Sequence, residues 1–163
     1  CFKKLDLKDI EYIINLQGDE PDIDVNDLKI LNRSVEINKP DIGTLASEIN
    51  LKSNLSNENI VKVITDYKIN DKNFPIALDF KRKVDNLNIN IYHHLGIYAY
   101  KPNVLKKLIN YEQTVNEIKN RLEQLRAMEN GIKINVALAK YSSKGIDTME
   151  DYLALKKKLE YKS

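Results

Sequence analysis

Two short turns of the chain carry carboxylates that could hold a metal ion. Residues 17–21 (Gln-Gly-Asp-Glu-Pro) directly follow an apolar run, and residues 145–148 (Gly-Ile-Asp-Thr) precede the last predicted helix. A hard cation such as Mg²⁺ favours one or two carboxylates together with the phosphates of a substrate. Asp19 and Asp147 are therefore candidate ligands of one metal site. Both turns also have a plainer explanation, because Gly, Asp and Pro are ordinary turn formers and Asp147 or Thr148 can cap a helix.

A pair of adjacent histidines, His93 and His94, could donate hydrogen bonds to a ligand. A zinc site is excluded, because the chain has no further histidine and its single cysteine is the distant Cys1. Adjacent residues of a strand point to opposite faces, so at most one of the two histidines faces a given site. A neutral imidazole that binds a ligand and a buried structural histidine both fit this pattern.

A third candidate cluster lies on the strongest predicted helix, residues 114–129. Five of its apolar residues recur at steps of three and four and predict one buried face: Val115, Ile118, Leu122, Leu125 and Met128. Glu123, Gln124 and Arg126 flank that face. Their positions alone favour a solvated surface with local ion pairs worth a few tenths of a kcal/mol.

Alternating strands and helices must position these residues. The predicted strands span residues 11–17, 44–49, 60–67, 75–82, 91–100 and 132–139, and the predicted helices begin near residues 24, 102, 114 and 148. The first strand is expected to be buried, and residues 50–59 are expected to form a polar loop. This order predicts an α/β fold with a mainly parallel sheet, in which ligands collect at the carboxyl ends of the strands.

Length and composition narrow the class of protein. The 163 residues predict one domain, and 26 basic against 24 acidic residues argue against a dedicated nucleic-acid binder. The basic residues are 22 lysines and four arginines, so each arginine is a candidate for a geometric role that lysine cannot fill. One cysteine forms no intrachain disulfide, and no apolar run reaches the roughly 18 residues of a membrane span. Phosphate-loop, serine-elbow and zinc-protease motifs do not occur in the sequence.

Four motifs in a fixed order identify a resemblance. Residues 15–21 (Asn-Leu-Gln-Gly-Asp-Glu-Pro), 94–100 (His-Leu-Gly-Ile-Tyr-Ala-Tyr), 122–131 (Leu-Glu-Gln-Leu-Arg-Ala-Met-Glu-Asn-Gly) and 145–148 together resemble the 3-deoxy-manno-octulosonate cytidylyltransferase (CMP-Kdo synthetase) family. The resemblance extends over essentially the whole chain. It implies a Rossmann-like nucleotide-sugar transferase fold and the transfer of CMP from CTP to Kdo, with release of pyrophosphate, for lipopolysaccharide synthesis.

The resemblance also implies roles for individual residues. Asp19 and Asp147 would be the catalytic carboxylates that hold Mg²⁺, and Gln17 and Gly18 would lie against the nucleotide. Five residues would surround the sugar acid, with the Arg82 guanidinium on its carboxylate: Arg82, His94, Tyr98, Glu123 and Gln124. The family implies a cytoplasmic homodimer without a nucleic-acid or membrane partner. The aromatic strand with Tyr92, Tyr98 and Tyr100 could contribute to the dimer interface or to the core.

Two departures from the family pattern generate alternatives. The family opens with a strand and a phosphate-cradling loop, and residues 1–163 contain no counterpart of either. Residues 1–163 are therefore expected to be the C-terminal part of a single domain, without its first strands and inactive alone. Residues 79–86 match the family only at Phe80 and Arg82. The alternatives are a cytidylyltransferase for another acidic sugar, such as a nonulosonate, and a non-catalytic truncated module.

Overall fold

The fold comes from a computed structural model that describes residues 9–18, 23–49, 53–84, 90–140 and 149–160. Strands and helices follow one another in this order: β1 (Ile13–Leu16), α1 (Val25–Asn38), β2 (Ile42–Glu48), α2 (Ser53–Ser56), β3 (Lys62–Thr65), β4 (Ala77–Lys81), β5 (Ile91–Tyr100), α3 (Pro102–Leu108), α4 (Val115–Asn120), α5 (Gln124–Glu129), β6 (Ile134–Leu138) and α6 (Met149–Glu160). The α/β class is confirmed. The short helix α2 lies where the sequence predicts only a polar loop. No helix in the described ranges is long and apolar enough to cross a membrane.

Strand β5 is the centre of the sheet, which has the order β4-β3-β5-β2-β6 with β1 also on β5. β2 pairs with β5 from residue 92 to residue 100. β3 pairs with residues 91–93 of β5, and β1 pairs with residues 97–100. Because a strand has only two edges, β1 and β3 share the edge opposite β2. Residues 94–96 lie where these two neighbours separate.

The expected mainly parallel sheet is wrong for the described strands. Only β2 and β6 pair in parallel, whereas β5 runs antiparallel to β1, β2 and β3, and β3 runs antiparallel to β4. The link between β3 and β4, residues 66–76, is shorter than the dozen or more residues that a parallel crossover needs. The sheet is mixed, because an alternating order of elements does not fix which strands become neighbours.

The two faces of the sheet carry separate hydrophobic cores, since side chains alternate along each strand. Helix α1 covers one face, where its buried residues Leu31 and Val35 pack with Leu45, Leu95 and Ile97. The second core joins β5 to α3 and to the α4–α5 region, and it includes Tyr92, Tyr98, Val104, Leu122 and Leu125. Tyr92 and Tyr98 therefore belong to the core, and the partly buried Tyr100 packs against it.

The expectation that β1 is buried is also wrong. Ile14 and Leu16 expose 38% and 46% of their surface, and β5 is the only described strand with which β1 pairs. An apolar run of four residues fits a strand at the border of a sheet as well as one at its centre.

The single helix predicted over residues 114–129 is two helices. Arg121 adopts a left-handed backbone (φ 54°), which ends α4, and α5 begins three residues later. Leu122 and Leu125 are buried, but Val115 and Ile118 are mostly exposed, so the predicted apolar face is interrupted. A capping box between Thr114 and Glu117 fixes the start of α4.

At Gly43 on β2, helix α1 packs close against the backbone of the sheet. A Cβ atom at this position would lie 2.6 Å from Cγ1 of Val35 and 3.1 Å from Cζ of Phe74. Glycine is required here because the helix packs against the bare backbone. We expect Gly43→Ala to lower the free energy of unfolding by about 1–3 kcal/mol, as overpacking does.

Gly18→Ala is the matched control, because a Cβ atom at residue 18 meets nothing within 4 Å. Urea unfolding followed by circular dichroism measures both variants. Equal stability of the two variants would contradict this account of how α1 packs.

Candidate active site

A two-residue bulge in β5 forms the centre of the candidate site. Thr44 of β2 pairs with Tyr98, but the next residue, Leu45, pairs with Leu95, so the pairing register skips residues 96 and 97 of β5. The fully buried Thr44 hydroxyl donates to the Ile97 carbonyl at 2.6 Å and lies 3.1 Å from Nε2 of His94. Its single hydrogen is used on Ile97, so its oxygen accepts from the Nε2–H of His94. Thr44 thus fixes both the bulge and the tautomer of His94.

The bulge brings together aromatic rings that a regular strand would separate. Residues four apart in a flat strand are about 13 Å apart. Here the rings of His94 and Tyr98 are 5.3 Å apart, with Phe80 edge-on to His94 at 5.1 Å and Tyr100 stacked on Tyr98 at 5.7 Å. His94 and Tyr98 are each almost fully buried. The rings of Phe80, His94, Tyr98 and Tyr100 form one aromatic wall beside the point where β1 and β3 separate.

The wall is uncharged at neutral pH. Burial lowers the pKa of His94 to about 3 and that of His93 to about 4, the Lys62 ammonium adds to the shift of His93, and His93 adds to that of His94. Burial also raises the pKa of Tyr98 and Tyr100, and the Glu123 carboxylate raises both further. Glu123 is therefore near the two phenols. The wall offers neutral hydrogen-bonding groups beside one carboxylate.

Helix α5 presents Glu123 at its N-terminal cap and the half-buried Gln124 in its first turn. A nearly buried ion pair holds this helix in place, since the Arg126 guanidinium donates from Nε at 2.8 Å and from Nη2 to the two carboxylate oxygens of Glu117. The bond from Arg126, more than any other contact, lowers the pKa of Glu117. The expectation of a solvated face with weak local ion pairs is wrong for Arg126, because its partner lies nine residues away on α4.

Arg82, at the end of β4, already has three partners. Its Nε, Nη1 and Nη2 donate to the carbonyls of Asn120 (2.8 Å), Glu58 (3.0 Å) and Arg121 (3.0 Å). A guanidinium has five N–H groups, so two have no partner among the described residues and could bind a ligand. The structure thus ties this predicted sugar-site residue to the junction between α4 and α5.

The strand that carries the first carboxylate turn ends beside the bulge. Leu16, the last residue of β1, pairs with Ile97, and Gln17 and Gly18 follow it with exposed surfaces. The last residue of β6, Leu138, pairs with Ala46, which pairs with His94. Strands β1 and β6 therefore both end at the level of residues 94–97 of β5.

Asp19 and Asp147, the predicted metal ligands, lie outside the described residues. Within the described ranges, no three His, Cys, Asp or Glu side chains are close enough to hold a metal ion. A cavity of about 440 Å³ opens between β4 and the α4–α5 region, lined by residues that include Leu78, Asn116 and Glu129. None of the predicted site residues lines this cavity.

Sequence reasoning missed three residues that organise the site. Thr44 is hidden in an apolar strand, and Lys62 looks like any solvated lysine, so neither gave a signal. Glu117 did give one, because residues 114–117 have the Thr-x-x-Glu pattern of a capping box.

The lowered pKa values of the two histidines predict an acid-sensitive fold. Between about pH 3 and pH 6.5 the unfolded chain binds more protons than the folded one, so stability falls as the pH is lowered through this range. Each histidine contributes a slope of up to about 1.4 kcal/mol per pH unit. We expect the free energy of unfolding to drop measurably between pH 6.5 and pH 5, where ordinary carboxylates are still ionised.

Urea unfolding at several pH values measures this slope. The variants His93→Gln and His94→Gln each remove one titrating group, so each is expected to have a shallower slope than the unmodified protein. Identical slopes in all three proteins would show that the histidines are not the cause.

Comparison with known proteins places the chain in a family. Residues 1–134 match the family model described as cytidylyltransferase. A relative named 3-deoxy-manno-octulosonate cytidylyltransferase from Thermodesulfovibrio yellowstonii is 40% identical over 150 residues, which cover 89% of this chain and 59% of that protein. The protein of the same name from Brucella canis is 33% identical over 144 residues, covering 88% of this chain and 57% of its own length. The chain thus spans less than two thirds of these curated relatives.

A solved structure agrees with these relatives. The CMP:2-keto-3-deoxy-manno-octonic acid synthetase complexed with CTP superposes with a TM-score of 0.82 at 26% identity, over 94% of this chain and 63% of that one. An apo UDP-glucose pyrophosphorylase, 14% identical with a TM-score of 0.64, shares the fold. The family model matches most of the chain, and so do the named relatives. The chain therefore belongs to the cytidylyltransferase family.

Proposed function

We propose that this chain forms the sugar-acid side of an enzyme that transfers CMP from CTP to 3-deoxy-D-manno-octulosonate (Kdo). The observation that carries the proposal is the aromatic wall at the β5 bulge, where the Glu123 carboxylate of the α5 cap raises the pKa of Tyr98 and Tyr100 and where β1 and β6 end at the same level of the sheet. The relatives named for this reaction support the choice of substrates.

The reaction exchanges one bond to phosphorus for another. The anomeric hydroxyl oxygen of Kdo attacks the α-phosphorus of CTP, and the bond from that phosphorus to the oxygen bridging to the β-phosphate breaks. Pyrophosphate leaves, the hydroxyl proton passes to a base, and CMP-Kdo remains. Such chemistry depends mainly on positioning and on neutralising negative charge.

We infer that the two carboxylate turns serve the nucleotide side. Gln17 and Gly18 leave β1 beside Ile97, and in this proposal they lie against CTP. Asp19 and Asp147 would hold Mg²⁺, which neutralises phosphate charge when bound. Carboxylates fit this ion, and β1 and β6, which precede these turns, end at the same level of the sheet.

In this proposal the sugar side of the site uses two neutral rings, one amide, one carboxylate and one arginine. His94 and Tyr98 belong to the wall, and Glu123 and Gln124 would bind the hydroxyl groups of Kdo. The two free N–H groups of Arg82 suit the sugar carboxylate, because a guanidinium binds carboxylates in a fork.

We further propose that the protein works as a homodimer in the cytoplasm. Leu78 on β4 and Val115 and Ile118 on α4 expose between 59% and 81% of their surface, and this apolar area supports packing of a second copy. The aromatic residues of β5 do not serve this purpose, since they lie in the core.

The assay compares the product of the complete gene with residues 1–163 alone. Each is mixed with CTP, Kdo and Mg²⁺, and ³¹P NMR follows the formation of CMP-Kdo and pyrophosphate. We expect CMP-Kdo from the complete product only, and no product after chelation of the metal. Asp19→Asn should lower the rate about 100-fold or more, whereas Asp71→Asn, in an exposed turn, should leave it unchanged.

N-Acetylneuraminate serves as a competing acceptor. Its use in place of Kdo would contradict the proposed substrate while keeping the reaction type. Failure to release pyrophosphate with either acid would contradict the proposed enzyme.

A further inference from the structure

Lys62 is a buried cation that the proposed reaction does not use. It lies on β3 with none of its surface exposed, and its amine donates to the carbonyls of Asn57 and Arg82, each at 2.6 Å. Burial lowers the pKa of this amine to about 8, so it stays charged at neutral pH. Burying a charge costs free energy unless its hydrogen bonds are satisfied, and an apolar side chain would fill this position without that cost. The charge of Lys62 therefore needs an explanation beyond core packing.

Lys62 and Arg82 form a chain of contacts. The carbonyl of Arg82 accepts from Lys62, and the side chain of the same residue donates to Asn120 and Arg121. Arg82 is therefore bound at its backbone carbonyl by Lys62 of β3, and its guanidinium binds the α4–α5 junction.

The junction needs these donors because the helix is broken there. In a continuous helix, the carbonyls of Asn120 and Arg121 would accept from the amides of residues 124 and 125. The left-handed Arg121 prevents this, and the amide of Leu125 instead donates to Leu122 at 3.2 Å. The Arg82 guanidinium replaces the missing donors, which keeps two carbonyls satisfied just before Glu123.

We propose that Lys62 is a positioning residue for sugar-acid binding, acting through Arg82 on the α4–α5 junction that presents Glu123 and Gln124. The inference rests on the proposed function for its substrate, but its structural step stands without it. The start of β3 also holds the wall, since the amide of His94 donates to the Val61 carbonyl at 2.9 Å and Lys62 pairs with His93. Loss of the Lys62 amine is expected to free the Arg82 backbone and loosen the presentation of both side chains.

Amide hydrogen exchange of the ligand-free protein tests the structural step. We expect Lys62→Met to speed the exchange of the Arg121, Leu122 and Leu125 amides about tenfold, while the amides of α1 keep their rates. Lys72→Met is the matched control, because Lys72 is exposed in the turn before β4. Arg82→Lys, which replaces the fork by a point donor, should have the same local effect, and it covers the case in which Lys62→Met fails to fold.

Kinetics of the complete gene product test the functional step. A positioning role predicts that Lys62→Met raises the KM for Kdo about tenfold and leaves the KM for CTP unchanged. Unchanged exchange at the junction would overturn the proposal, whether or not the enzyme is active. A uniform rise in exchange over the whole molecule, or equal changes of both KM values, would overturn it too, because Lys62 would then only stabilise the fold.

Discussion

The bulge in β5 is the constraint on which the rest of the site depends. The pairing register skips residues 96 and 97, and the buried hydroxyl of Thr44 binds both the Ile97 carbonyl and the imidazole of His94. An unsatisfied buried carbonyl would cost about 1–3 kcal/mol, so a strand with this bulge requires such a donor. The shortening of β5 then brings His94 next to Tyr98 and places both where β1 and β3 separate.

Burial of the wall sets its electrostatics. Neutral imidazole and phenol groups are poor ligands for Mg²⁺, which prefers carboxylate and phosphate oxygens, yet they can orient hydroxyl groups. In our proposal the charged groups form a rim from other elements: Glu123 at the cap of α5, Arg82 after β4, and Asp19 and Asp147 in the turns after β1 and β6. This separation of neutral wall and charged rim suits a reaction in which a polar sugar acid meets a metal-bound triphosphate.

The junction between α4 and α5 is tied to strands β3 and β4 at one edge of the sheet. Glu117 and Arg126 tie the two helices together across the break, and Arg82 and Lys62 tie the break to β3 and β4. Four ionisable side chains thus fix the geometry of one junction, and Glu123 and Gln124 come directly after it in the chain. Such a concentration of buried polar contacts is expected where orientation matters more than stability alone.

The α/β class, the places of the strands and the motif around His94 could be predicted from the sequence, because periodicity and turn residues are local signals. Strand direction could not, since β5 acquires three antiparallel neighbours only through tertiary packing. The break at Arg121 was hidden by an apolar spacing that fits one helix, and the ion pair that joins the two helices across the break spans nine residues. Thr44 and Lys62 gave no signal because their roles depend on contacts with residues 20 to 53 positions away.

Titration of Kdo into the ¹⁵N-labelled protein, followed by amide chemical shifts, tests the central claim most directly. The account predicts shifts at Gly96, Ile97 and Tyr98 of the bulge and at Gln124 of α5, with little change in the amides of α1. Shifts confined to the residues around the cavity between β4 and α4, or no shifts with Kdo at any concentration tested, would contradict the claim that the bulge forms the sugar-acid site.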